Sequence, residues 1–155
     1  MIKLYKIPEI FFKNIDSFAE GTLLTLELAF YTVLLGTALG IIVSLLRRVK
    51  FPPLRWLMAL YVEFIRGTPL LVQALIVIYG LPSLGIKMDR KILAIVALVI
   101  NSSAYMSEIV RAGIQSIDHG QTEAALSLGM TRKQNMLYIV LPQAVKTTLP
   151  AMGNE

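Results

Sequence analysis

From Gly21 to Leu46 the chain runs for 26 residues with a single formal charge, Glu27. As an α-helix rising 1.5 Å per residue, this stretch is about 39 Å long, enough to cross a hydrocarbon layer of ~30 Å with tilt. A soluble protein would have to surround such a helix on every side, and a chain of 155 residues offers little other protein to do so. Further apolar stretches run roughly from Trp56 to Leu81, from Lys91 to Ile114 and onward from Met136. The expected fold is therefore an all-α integral membrane bundle with four spans in this chain. Its divisions are an interfacial N-terminal segment, 1–20, and one membrane domain, 21–155, with a polar connector at 116–135.

The remaining composition excludes several functions. There is no cysteine, so disulfides, iron–sulfur clusters and thiolate zinc sites are out of reach. His119 is the one histidine, which leaves no histidine-cluster metal site, and neither metal nor cofactor is expected. The net charge of +5 comes from Lys and Arg that flank apolar runs, the usual arrangement around spans; no basic stripe with interleaved aromatics suggests nucleic acid. No Gly-Lys-Ser/Thr phosphate loop is present, so the chain does not itself hydrolyse nucleotide, and it is not expected to be an enzyme. The first apolar run is about twice the length of a secretory signal's core and reads as an uncleaved span.

The second span carries the most informative interruption. Arg66-Gly67-Thr68-Pro69 falls near its middle, and an arginine at mid-span costs about 2.5–3.5 kcal/mol on insertion scales. Proline removes a backbone donor there, and broken helices at membrane depth are tolerated only against protein or a water-filled cavity. Transporters build substrate sites at such breaks; the alternative is two shorter elements with Arg66 reaching an interface. In the third span Asn101, Tyr105 and Glu108 fall on one helical face, and Arg111 is placed to pair with Glu108. Glu27 reads as a packing hydrogen-bond group. Pro52 and Pro53 are expected to break any helix in the basic 47–55 loop, and Gly129 to stop a helix over Ala124–Leu128.

Three stretches carry a resemblance. Glu123-Ala124-Ala125, three residues, Gly129 and then Ile139-Val140-Leu141-Pro142 resembles the loop shared by the membrane subunits of ATP-binding-cassette (ABC) importers. The run from Glu63 through Arg66-Gly67-Thr68-Pro69 to Gln73 looks like the second-span signature of the polar amino acid permeases in that family, and Asn101–Ile114 looks like their third span.

The resemblance implies a permease subunit that moves a polar amino acid across the bacterial cytoplasmic membrane by alternating access. It implies three protein partners: an ABC ATP-binding subunit, a second permease subunit, identical or paralogous, and an extracytoplasmic amino-acid-binding protein. It makes 116–135 the cytoplasmic ATPase-docking loop, with Gln121, Glu123, Ala124, Ala125 and Gly129 as coupling residues. Small Ala124 and Ala125 would allow close approach, and Gly129 would stand where a side chain would collide. For the substrate path the candidates are Arg66, Thr68, Gln73, Asn101, Glu108 and Glu155. Members of the family usually continue past Gly153-Asn154-Glu155 to a fifth span, so the chain is expected to be a fragment. The rival is an ion-coupled secondary transporter with Glu27, Glu108 and Arg66 as its relay, but the inverted repeats it should show are not evident.

Overall fold

A computed structural model describes residues 11–155, and residues 1–10 of the expected interfacial segment lie outside it. Among the described residues the secondary structure is entirely helical. Helix α1 (Ile15–Leu46) starts before the Gly21 boundary of the sequence reading, because the 15–20 stretch continues the same helix despite its charges. Helix α2 (Pro52–Arg66) begins at the two prolines that were expected to prevent one. The first turn of a helix needs no intrahelical N–H from its leading residues, and the fixed proline φ suits it, so the pair initiates the helix instead. Helix α3 (Leu70–Leu75) continues through a π-helical turn at Ile76–Gly80 to Ser83. Helix α4 (Arg90–Gln115) opens with the Asp89 carboxylate accepting from the Lys91 N–H at 2.8 Å.

Two shorter helices follow, α5 (His119–Ser127) and α6 (Arg132–Asn135), and a second π turn, Met136–Val140, leads into α7 (Leu141–Asn154). Both π turns end two residues before a proline, Pro82 or Pro142. A proline ring crowds the carbonyl one turn back, and a widened turn makes room for it without ending the helix.

Helices α1 and α4 are long and apolar enough to cross a membrane, and α2 with α3 would make a third span, bent by 106° at the break. The segment from Met136, expected as a fourth span, is helical but is interrupted by Gln143, Lys146, Thr147 and Thr148 and does not reach that standard of length and apolarity.

The core is the contact between α1 and α4. Gly36, Gly40 and Ser44 recur every four residues on α1 and are buried. A Cβ on Gly36 would stand 2.7 Å from Ser102 Oγ, and one on Gly40 would stand 2.6 Å from Met106 Cβ. In a lipid environment close backbone approach of this kind supplies the attraction that the hydrophobic effect supplies in water. Lys91 at the start of α4 meets Glu27 in the first half of α1 at 2.9 Å, and Glu108 in the second half of α4 meets Arg47 at the end of α1 at 2.9 Å, so α1 and α4 run parallel. The intervening α2–α3 segment therefore carries the chain back across the bundle. Helix α7 returns antiparallel to α4, with Ala144 and Thr148 against Gly113, a position where any side chain would overlap Thr148. A smaller apolar cluster of Val43, Val62, Ile65 and Ala104 joins α1, α2 and α4.

Candidate functional site

The break between α2 and α3 leaves the last carbonyls of α2 without helical partners. Gln73 supplies them. Its buried side-chain amide donates to Ile65 O at 2.7 Å, Thr68 O at 3.0 Å and Thr68 Oγ1 at 2.8 Å. Its carbonyl oxygen accepts from Asn101 Nδ2 on α4 at 3.1 Å. Thr68 Oγ1 in turn donates to Phe64 O at 3.0 Å. Thr68, Gln73 and Asn101, three of the six path candidates, thus form one network that holds the bend and ties it to α4. The Arg66 guanidinium lies exposed just before the break, with its Cζ 5.4 Å from the centroid of the Tyr105 ring.

Asn101 also lines a cavity of about 200 Å³ among α1, α3, α4 and α7, which Thr32, Thr37, Ser102, Met106 and Glu155 help to form. Glu155 is therefore gathered with Asn101, whereas Glu108 is not. It lies further along α4, where the Arg47 guanidinium donates to it and Arg111 Nε is 3.0 Å from both of its oxygens. Glu108 fastens the end of α1 to α4. Glu27, read as a packing group, makes a half-exposed ion pair with Lys91.

The predicted coupling residues cluster on α5. Asp118 caps it, its carboxylate accepting from the Gly120 N–H at 2.7 Å. Its far end closes with two reverse bonds, Gly129 N–H to Leu126 O at 3.0 Å and Met130 N–H to Ala125 O at 3.1 Å, around a Gly129 φ of +84°. This is the Schellman arrangement, and it needs a left-handed residue at that position. Nothing lies within 4 Å of a Cβ added at Gly129, so backbone conformation and not collision explains the glycine. Ala125 is buried against the chain's own body, so its small size serves internal packing. Gln121, Glu123 and Ala124 are exposed, and Leu128 is 85% exposed.

Sequence reasoning had missed two anchors. The Asn135 side-chain amide donates to Thr122 Oγ1 at 3.1 Å, securing α5 from beneath. The Tyr61 hydroxyl donates to Ile100 O at 2.8 Å and lies 2.7 Å from Ser103 Oγ, securing α2 to α4. Neither has a local signal; the Gly36, Gly40 and Ser44 stripe, also absent from the sequence reading, does have one in its four-residue spacing of small residues. Among the described residues no cluster of His, Asp and Glu is arranged to hold a metal ion.

Long apolar helices with a side-chain-clamped break in one candidate span fit a membrane transport component. Residues 36–155 match the family described as binding-protein-dependent transport system inner membrane component. The chain belongs to that family, and it is a membrane protein.

It is 45% identical over 147 residues to the probable glutamine ABC transporter permease protein GlnM of Bacillus subtilis (strain 168), covering 94% of this chain and 68% of that protein. The arginine transport system permease protein ArtQ of the same organism is 45% identical over 137 residues, covering 88% of this chain and 63% of ArtQ. A solved structure titled "Crystal structure of an amino acid ABC transporter with histidines" matches with a TM-score of 0.81 at 44% identity, covering 89% of this chain and 68% of that one. This chain thus spans about two thirds of the length of these relatives.

Proposed function

We propose that this chain is the permease subunit of an ABC importer and moves a polar amino acid by alternating access driven by a separate ATPase. The carrying observation is α5, a helix fixed to the body by Ala125 and Asn135 while Gln121, Glu123, Ala124 and Leu128 face outward. Such a helix is a rigid lever across an interface. In this reading the 116–135 loop is cytoplasmic and the chain contributes four spans to a bundle of five. A second permease subunit, identical or paralogous, completes the pathway, and an extracytoplasmic binding protein delivers the amino acid. The chain performs no bond chemistry; ATP hydrolysis belongs to the partner.

Substrate passage is assigned to the region of the break. The cavity shared by Asn101 and Glu155, with Thr32 and Thr37, has the polar groups to meet an amino acid's charged ends. Arg66, exposed just before the break, can attract a carboxylate, while Thr68 and Gln73 hold the bend and Glu108 holds the helices that flank the path. The relatives' names (glutamine, arginine) favour a polar amino acid substrate.

The test is co-purification of the neighbouring ATP-binding subunit with the full-length protein in detergent. Wild type should capture it. Leu128→Asp should lose most of the captured subunit while melting at the wild-type temperature, because Leu128 makes little contact with its own chain. Gly129→Arg should lose capture together with the end of α5. Undiminished capture by Leu128→Asp would remove α5 as the docking element, and no capture by well-folded wild type would remove the importer reading.

A further inference from the structure

A cavity of about 1000 Å³ opens where the ends of α1 and α4 meet the start of α2 and the inner side of α5. Five arginines line it: Arg47, Arg48, Arg55, Arg111 and Arg132. Glu108 neutralises part of this charge by holding Arg47 and Arg111. Arg48, Arg55 and Arg132 have no carboxylate partner among the described residues. Desolvation, and after it the charge of Arg111, holds the Arg48 guanidinium below its ordinary value. Two buried polar atoms on the same wall, Ser44 Oγ and Asn135 Oδ1, also have no partner among the described residues. One can donate to an anion, and the other can only accept.

The cavity continues into apolar surface. Trp56, 76% exposed, belongs both to it and to an adjoining groove of about 450 Å³ formed with Pro52, Pro53, Leu57 and Leu60. A free anion would answer the arginines and leave that groove bare. A matching ligand carries a phosphate charge, a hydroxyl donor and an alkyl chain in one molecule. The site also lies at the ends of α1 and α4, the depth at which lipid head groups lie beside spans.

We propose that this cavity binds the head group of an anionic phospholipid, its phosphate among Arg48, Arg55 and Arg132 and one acyl chain along the Pro52–Leu60 groove. His119, Thr122 and Leu126 of α5 form the facing wall, so the bound lipid braces the helix that carries the exposed outer face. Membrane composition thereby reaches α5 directly. The assignment rests on the cavity and holds whatever the transported substrate is.

The experiment is native mass spectrometry of the full-length protein in detergent, with phosphatidylglycerol or phosphatidylcholine added. Wild type should retain phosphatidylglycerol about tenfold more than phosphatidylcholine, because basic residues at the membrane surface attract anionic head groups. The triple variant Arg48→Gln/Arg55→Gln/Arg132→Gln should lose the preference, and the same three positions as Lys should restore most of it. Restoration by Lys separates lost charge from lost folding. Trp56→Ala should weaken phosphatidylglycerol retention several-fold by shortening the apolar groove.

Equal retention of the two lipids by wild type would overturn the proposal, as would retention of the preference by the Gln variant. Displacement of phosphatidylglycerol by millimolar inorganic phosphate, with Trp56→Ala silent, would make this a free-anion site and overturn the lipid assignment. Displacement by one equivalent of the ATP-binding subunit would make it a protein contact and overturn it equally.

Discussion

One side chain replaces the backbone hydrogen bonds lost at the break in the second span. Gln73 donates to the carbonyls of Ile65 and Thr68, and its own carbonyl accepts from Asn101, so the bend gains side-chain partners where helical ones end. Gln73→Leu keeps comparable bulk and removes every one of these bonds. Leaving buried polar groups unsatisfied costs about 1–3 kcal/mol. The variant should therefore melt measurably below wild type in detergent, and an unchanged melting curve would show that the bend is held by other contacts. Thr68, Gln73, Asn101 and Glu108 were legible in the sequence as polar groups inside apolar runs. Their partners were not, because Gln73 and Asn101 stand 28 positions apart, and Arg47 and Glu108 stand 61 apart. Only folding decides which long-range pairs meet. Arg47 and Arg48 read as a topological charge cluster, yet Arg47 became an anchor and Arg48 part of a cavity wall.

Helix α1 makes two demands on its sequence, an apolar surface for lipid and a narrow stripe for α4. The stripe of Gly36, Gly40 and Ser44 brings the helices close enough that a new Cβ meets Ser102 or Met106 at under 3 Å. Gly40→Leu should thus cost about 1–3 kcal/mol by overpacking. Gly21→Leu, on the same helix but with nothing within 4 Å, should be near neutral. Equal melting temperatures for the two variants would contradict the α1–α4 contact described here.

Prolines show how position governs an element. Pro52 and Pro53 initiate α2, whereas Pro82 and Pro142 follow π turns within continuing helix. The residue type announces a constraint on φ and a missing donor, and the surrounding chain decides between a start, a bulge and a stop. At α5 the reading from residues was closer: Gly129 ends the helix as expected, though through its positive φ and without the steric clash anticipated for it.

At the scale of the molecule, α1 and α4 run parallel, clipped by Glu27–Lys91 at one end and Arg47–Glu108 at the other. The chain has no native cysteine, so paired cysteines report this arrangement without background. Glu27→Cys with Lys91→Cys should be joined by a short bis-maleimide. Arg47→Cys with Lys91→Cys should not, since those positions sit at opposite ends of the packed pair. The reverse result would require the helices to be antiparallel.

By itself the sequence determined that this chain is a helical membrane protein with a charged, broken second span and a short helix stopped by Gly129. Those properties follow from local composition and spacing: apolar length, a proline at mid-run, a glycine after a short helix. Tertiary structure alone decided that Gln73 caps the break, that Glu108 joins two arginines from different elements, and that Ala125 faces inward while Ala124 faces out. It also decided that arginines scattered from Arg47 to Arg132 converge on one cavity. The physical reason is the same throughout. Burial and charge pairing depend on distances between segments, and no local pattern encodes those distances until the helices have packed.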